Sequence, residues 1–195
     1  PFYYEPLETQ ISDKQQYPLS AITQRPMAMY HSWDSQNAWL RQIHAHNVLF
    51  VNTHTARINE IADGDWIWVE SQWGKVRCIA RYSEAVEPGT VWTWNAIGKA
   101  AGAWALSPDA NESQTGFLLN HLISEELPAQ LGGSSSTISN SDPITGQAAW
   151  YDVRVKIYKA GPEEPKHSEP QFAPLPKYPG MGSVLHKLNF LAGKG

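Results

Sequence analysis

Cysteine is nearly absent from this 195-residue chain, where Cys78 stands alone. One thiol cannot build an intrachain disulfide, an all-cysteine zinc site or an iron–sulfur cluster. Charge is sparse as well. Only 17% of residues are Asp, Glu, Lys or Arg, and 15 basic against 19 acidic side chains leave a formal charge of −4. That balance argues against nucleic acid or an anionic membrane as the main partner. Long apolar runs are missing too: Val48-Leu49-Phe50-Val51 is among the longest, far below the roughly 20 residues that cross a bilayer. The sequence opens on Pro1-Phe2-Tyr3-Tyr4 without an initiating Met or a charged-then-apolar leader, and so reads as a processed chain or the excised end of a longer one.

Tryptophan, by contrast, is abundant. Nine indoles stand at 33, 39, 66, 68, 73, 92, 94, 104 and 150. A surface poor in charge and rich in indoles faces another protein surface or a flat ligand more often than bulk water.

Along the chain, Tyr17 to Thr23 and Met27 to His31 read as short strands broken at Pro26, which cannot donate to a ladder. Ser32 to His46 reads as a loop with a helical turn. Val48 to Val51 is a strand, followed by a helix-like start over Thr53 to Ile61. After the turn Asp63-Gly64-Asp65, Trp66, Trp68 and Glu70 alternate with Ile67, Val69 and Ser71, and Gln72-Trp73-Gly74 turns the chain into a second strand, Lys75 to Tyr82, with one polar face. Glu87-Pro88-Gly89 leads into a strand over Thr90 to Trp94. This density of strands suits a small barrel.

Gly98 to Asn111 reads as a loop. Ser113 to Leu127 has the best helical pattern, with Ser113 as cap, Phe117, Leu118, Leu122 and Ile123 as stripe, and Pro128 as stop. Gly132 to Ser136 is flexible by composition, and Trp150 to Tyr158 is a last alternating strand. Six of the fourteen prolines fall between 162 and 180, so this stretch is expected to lie extended over a neighbour. The expected organisation is a lead-in over 1–16, a barrel domain over 17–160 and a Pro-rich tail over 161–195.

Most chemical motifs fail on inspection. His31, Ser32 and Asp34 have the residue types of a hydrolytic triad, but neighbours on a strand point to opposite faces. His44, His46 and His54 could approach a metal, yet no cysteine or paired acid reinforces them. Gly98 and Gly102 lack the dinucleotide-fingerprint spacing. Exposed indoles could stack on sugars, which makes a non-enzymatic carbohydrate-binding module the alternative, and a purely structural scaffold a third possibility. More informative is a set of small polar residues at strand ends: Thr23, Arg25, His31, Ser32, Asn52, Asn120 and Gln147. Such groups, with backbone amides, cradle a pyrophosphate and read a base edge without net positive charge.

The order of these pieces resembles the C-terminal dinucleotide-binding domain of the molybdopterin oxidoreductases, the dimethyl-sulfoxide-reductase superfamily. The matching runs are Tyr17-Pro18-Leu19 to Thr23-Gln24-Arg25, His31-Ser32, Val51-Asn52 to Ala56, Asp63 to Ser71 with Gly74-Lys75-Val76, Val86-Glu87-Pro88-Gly89, Asn120, and Asp142 to Gln147. The runs 29–43 and 93–119 are most similar to large subunits of the sulfur-compound group, of sulfite dehydrogenase or thiosulfate and polysulfide reductase type.

The resemblance implies a mainly β fold with a few helices, a six-stranded double-psi β-barrel. It also implies binding of one half of a bis(molybdopterin guanine dinucleotide) cofactor carrying molybdenum. Thr23, Arg25, His31 and Ser32 would face pterin and phosphates, with Asn52, Asn120 and Gln147 towards the guanosine. The parent subunit would perform oxygen-atom or two-electron transfer on an inorganic sulfur compound. Its iron–sulfur cluster and metal ligand would lie in earlier domains, leaving this fragment catalytically silent. The implied partners are the remaining domains of the same polypeptide, an iron–sulfur electron-transfer subunit together with a membrane-anchor subunit, with the cytoplasm preferred over the periplasm. Asn52-Thr53-His54-Thr55-Ala56 departs from the family's Asn-Pro-acid pattern, which puts the usual acid in doubt.

Overall fold

In the computed structural model, the described residues are 3, 6–30, 37–43, 47–95, 97, 107, 109–127, 138–141, 144–147 and 153–173. The elements in chain order are α1 (Leu7–Ile11), β1 (Leu19–Gln24), α2 (Ala38–Arg41), β2 (Leu49–Val51), α3 (Thr53–Ile58), β3 (Trp66–Ser71), β4 (Gly74–Tyr82), β5 (Thr90–Trp94), α4 (Asn111–Thr115), a 3-10 turn (Leu119–Leu122), β6 (Glu126–Leu127), β7 (Ile138–Ser139), β8 (Val153–Lys159) and β9 (Gln171–Phe172).

Six of these strands close a barrel. They follow the order β2, β5, β1, β8, β3, β4, and β4 pairs back to β2. β1 with β5 and β2 with β4 run parallel, while the other barrel neighbours run antiparallel. The two parallel pairs join strands that are not consecutive in sequence, as expected for a double-psi barrel. Closure leaves no long unpaired edge in the wall.

Alternation explains the interior. Leu19 and Ala21, Leu49 and Val51, Ile67 and Val69, Val76, Cys78 and Ala80, Val91, and Val153, Val155 and Ile157 all enter one core. Burial pushes the Cys78 thiol well above its ordinary pKa, which keeps it protonated and inert. α3 begins where Asn52 accepts the His54 N–H at 2.9 Å, the arrangement of an N-cap. Gly64 takes φ +85° in the turn before β3, a conformation that glycine adopts without strain.

Several expectations change. The helix expected over 113–127 is replaced by α4, the 3-10 turn and the short strand β6, which pairs with β7. Its helical spacing is real, and Phe117, Leu119 and Leu122 are buried in the core. However, side chains from elsewhere capture the carbonyls a helix would use. Ser168 Oγ donates to Gly116 O, Asn47 Nδ2 to Phe117 O at 3.0 Å, and Ser71 Oγ to Leu122 O at 2.7 Å. Ser113 sits inside α4, not at its cap. Of the strand expected over Met27 to His31, the described residues 27–30 form a turn closed by the Met29 N–H on Pro26 O at 3.1 Å, with a single bridge residue at Tyr30. Residues 31–36, 98–106, 128–137 and 174–195, with the expectations placed on them, lie outside the described residues.

The face of β4 expected to be polar is interrupted by Arg77, which is buried. The described part of the Pro-rich segment covers it. Residues 161–173 turn locally, with the Glu164 N–H on Gly161 O at 3.1 Å and the His167 N–H on Pro165 O at 3.0 Å, before reaching β9, and they lie across the barrel's own β3 and β4. Glu164 accepts the Trp68 indole N–H at 2.9 Å and lies 3.7 Å from Arg77, Arg77 donates to Pro165 O at 3.2 Å, and β9 pairs with the start of β4. Lys75 and Arg77 also approach the Trp68 ring at 4.2 and 4.1 Å. Trp68 is thus sealed by its own chain, not by another protein surface or a flat ligand. Gly74 permits this covering, because a Cβ there would collide with the backbone of Gln171 and Phe172.

Candidate functional site

One mouth of the barrel is polar. The inward parity of β1 runs Leu19, Ala21, Thr23 and continues to Arg25, and that of β5 runs Val91, Thr93 and continues to Asn95. The two strands are parallel, with Thr23 opposite Thr93, so both series reach the same end. There the Asn95 N–H donates to Gln24 O at 2.8 Å, which fixes Asn95 beside Arg25.

A buried amide organises this mouth. Asn47, at the entry to β2, donates to Trp94 O at 2.8 Å and to Phe117 O at 3.0 Å, and its Oδ1 accepts from Thr93 Oγ1 at 2.8 Å. It therefore binds the end of β5 to the segment leading into the 3-10 turn. Ser168 and Ser71 hold that segment from the other sides. The turn presents Asn120 to solvent. His121 beside it is half-buried, its Nδ1 has no partner, and burial holds its pKa below the ordinary value. The Phe172 ring meets it edge-on at 6.1 Å.

Among the residues singled out from sequence, the structure brings Thr23 and Arg25 together and places the segment carrying Asn120 near them through Asn47. Both Thr23 and Arg25 are exposed. Asn52 lies elsewhere. β2 is antiparallel to β5, with Leu49 opposite Thr93 and Val51 opposite Val91, so Asn52 is at the far end of β2, roughly 17 Å along the strand from Asn47. The Asn52 amide is committed there to the His54 N–H and to Val86 O at 2.8 Å. The structure thus separates Asn52 from Asn120, which the sequence reading had grouped at one end. Gln147 is exposed just after the turn at 144–145, with its N–H on Thr145 Oγ1 at 3.4 Å. His31 and Ser32 lie outside the described residues.

The sequence reading missed Asn47, Thr93 and Asn95. A signal existed in Thr93, a small polar residue at an inward position of an aromatic strand. No group of three His, Cys, Asp or Glu is placed to hold a metal ion among the described residues. His54 is exposed there, and His44 and His46 are outside them. Nor do the indoles of the wall make a sugar platform. Trp68 is 2% exposed, and Trp92 is stacked on Phe50 at 4.0 Å with Trp94 edge-on to both.

Residues 19–147 match the family described as Molydopterin dinucleotide binding domain. The chain is 67% identical over 181 residues, 93% of its length, to a sulfite dehydrogenase subunit of Allochromatium vinosum. It is 29% identical over 161 residues to dopamine dehydroxylase of Eggerthella lenta, 80% of the chain. It covers 18% and 14% of those two relatives. In fold it is similar to acetylene hydratase from Pelobacter acetylenicus, with a TM-score of 0.54 and 22% identity over 82% of this chain and 21% of that one. The polar-mouthed barrel and the family match agree: this chain belongs to the Molydopterin dinucleotide binding domain family.

Proposed function

We propose that this domain holds the guanine form of the dinucleotide, as one half of a bis(molybdopterin guanine dinucleotide) group, in the catalytic subunit of a molybdenum oxidoreductase that uses an inorganic sulfur compound such as sulfite. The observation that carries this reading is the 67% identity along 93% of the chain to a protein named as a subunit of sulfite dehydrogenase. The iron–sulfur cluster and the metal's protein ligand belong to the rest of the polypeptide in this reading. The partners are those remaining domains, an iron–sulfur electron-transfer subunit together with a membrane anchor, in the cytoplasm or periplasm.

The residues at the barrel mouth fit the group. Arg25 is exposed and makes no hydrogen bond or ion pair among the described residues, so its fork of donors is free for a phosphate. The Asn95 amide oxygen is buried without a donor, which suits a ligand N–H. The hydroxyl of Thr23 and the amide of Asn120 add neutral donors and acceptors. When bound, molybdenum supplies two-electron redox chemistry. The chain's own part is to bind the dinucleotide, to orient it on a rigid wall and to exclude water from its buried edge.

The test uses the full-length protein, in which molybdenum and the GMP released by acid are measured. Arg25→Ala lowers both, because a charge-assisted phosphate contact is lost. A wild-type protein without molybdenum or GMP, or an Arg25→Ala protein loaded like wild type, would overturn the reading. Turnover of sulfite against other sulfur compounds decides the substrate.

A further inference from the structure

The Asn95 amide oxygen is an orphan. It is buried and has no hydrogen-bond partner, although the residue's own backbone N–H is bonded to Gln24 O at 2.8 Å. Buried amide oxygens in native proteins are almost always paired, because stripping water from an acceptor without replacing the bond is unfavourable. The neighbouring donors are spent: both Asn47 Nδ2 hydrogens go to Trp94 O and Phe117 O, and the Thr93 hydroxyl goes to Asn47 Oδ1 and Val48 O. The missing donor therefore comes from outside the described wall. Arg25, one residue beyond Gln24, sets its charge. A cationic ligand would meet that guanidinium unfavourably, and an ionised phosphate has no proton to give. What fits is a neutral N–H edge covalently attached to an anion.

Resting on the reading of this domain as a dinucleotide site, we infer that Asn95 Oδ1 accepts from the amino edge of a 2-aminopyrimidin-4-one ring while Arg25 engages the adjoining phosphate. That edge offers a ring N–H and an exocyclic amine side by side. Guanine and the pterin both carry it, at the two ends of the same group. Asn95 is thus a binding residue that recognises ring identity, and Asn47 positions it by holding the adjacent Trp94 carbonyl.

The experiment uses the full-length protein in wild-type, Asn95→Leu and Asn95→Asp forms. Leucine keeps the volume and removes the acceptor, whereas aspartate keeps an acceptor oxygen. Each form is purified loaded, for GMP and molybdenum content, and also from a host unable to make the cofactor, for titration with GMP and with IMP, which lacks the exocyclic amine. If the edge is that of guanine, wild type prefers GMP over IMP by about tenfold, Asn95→Leu abolishes the preference, and Asn95→Asp retains it. If the edge is that of the pterin, GMP and IMP bind alike. In that case Asn95→Leu loses most of its molybdenum and dinucleotide, and Asn95→Asp keeps them. The inference is overturned if Asn95→Leu loads like wild type and leaves the GMP-to-IMP ratio unchanged, or if Asn95→Asp behaves like Asn95→Leu. A wild-type protein that loads normally beside such variants leaves the domain's assignment standing, whereas an unloaded wild type removes the assignment itself.

Discussion

The Glu164 carboxylate accepts the indole N–H of Trp68 at 2.9 Å, joining residues 96 positions apart, and the same oxygen accepts the Gly161 N–H at 2.9 Å. The Gly161 N–H holds the Glu164 carboxyl below its ordinary pKa against the opposing effect of desolvation, aided by Trp68, Arg77 and Lys75. A depressed carboxyl stabilises the fold above its unfolded pKa of about 4.3, and the contribution is lost as pH falls through the lower folded value. Wild type is therefore expected to be more stable than Glu164→Gln at pH 7, with the gap closing below about pH 4. Urea midpoints of the two proteins across that range check this. Asp65 and Glu70 are also depressed, so total stability falls in acid for both, and only the difference reports Glu164.

Gly74→Ala places a methyl group against the backbone of Gln171 and Phe172. β9 must then leave β4, at a cost on the order of 1–3 kcal/mol. Limited proteolysis is expected to cut within 161–173 much faster in the variant, with the barrel core intact by near-ultraviolet circular dichroism. Unchanged protection of that segment would show that the close approach is not required.

Asn47→Ala removes the side-chain donor to the carbonyls of Trp94 and Phe117 and one of the two acceptors of Thr93 Oγ1, leaving Val48 O. With unsatisfied buried groups costing about 1–3 kcal/mol each, a loss of about 3 kcal/mol is expected from denaturant unfolding. Hydrogen exchange should show the segment 117–122 loosening first.

Asn52→Ala removes the α3 cap and the tie to Val86 O, for an expected loss of about 1–2 kcal/mol. Asn52→Asp keeps the capping acceptor and loses less. If the amide serves only this local role, dinucleotide content per folded protein is the same in both variants and wild type. A drop in content without a drop in stability would place Asn52 at the ligand.

Local chemistry made the wall legible in advance. The β3–β4 hairpin followed from Ile67 and Val69 alternating with Trp66 and Trp68 and from the Gly74 turn, and the start of α3 followed from Asn52. What could not be read depends on partners distant in sequence. Phe117 and Leu122 keep helical spacing, but Asn47, Ser71 and Ser168 take carbonyls that a helix would have used. Arg77 looked solvated until the Pro165 carbonyl and Glu164 were placed above it. At the site, Thr23 and Arg25 were visible because they close a strand before Pro26. Asn95 was not, because it acquires its setting only when β5 aligns in parallel with β1.

β8 fills the gap between β1 and β3, pairing Leu19 with Val155 and Val69 with Ile157. On the ribosome, the strands before it are complete long before their shared neighbour exists. Until residues 153–159 emerge, the first and third strands carry bare edges and the barrel cannot close. Such late, long-range closure slows folding. The period in which these edges need protection from other chains ends only when the last barrel strand is inserted.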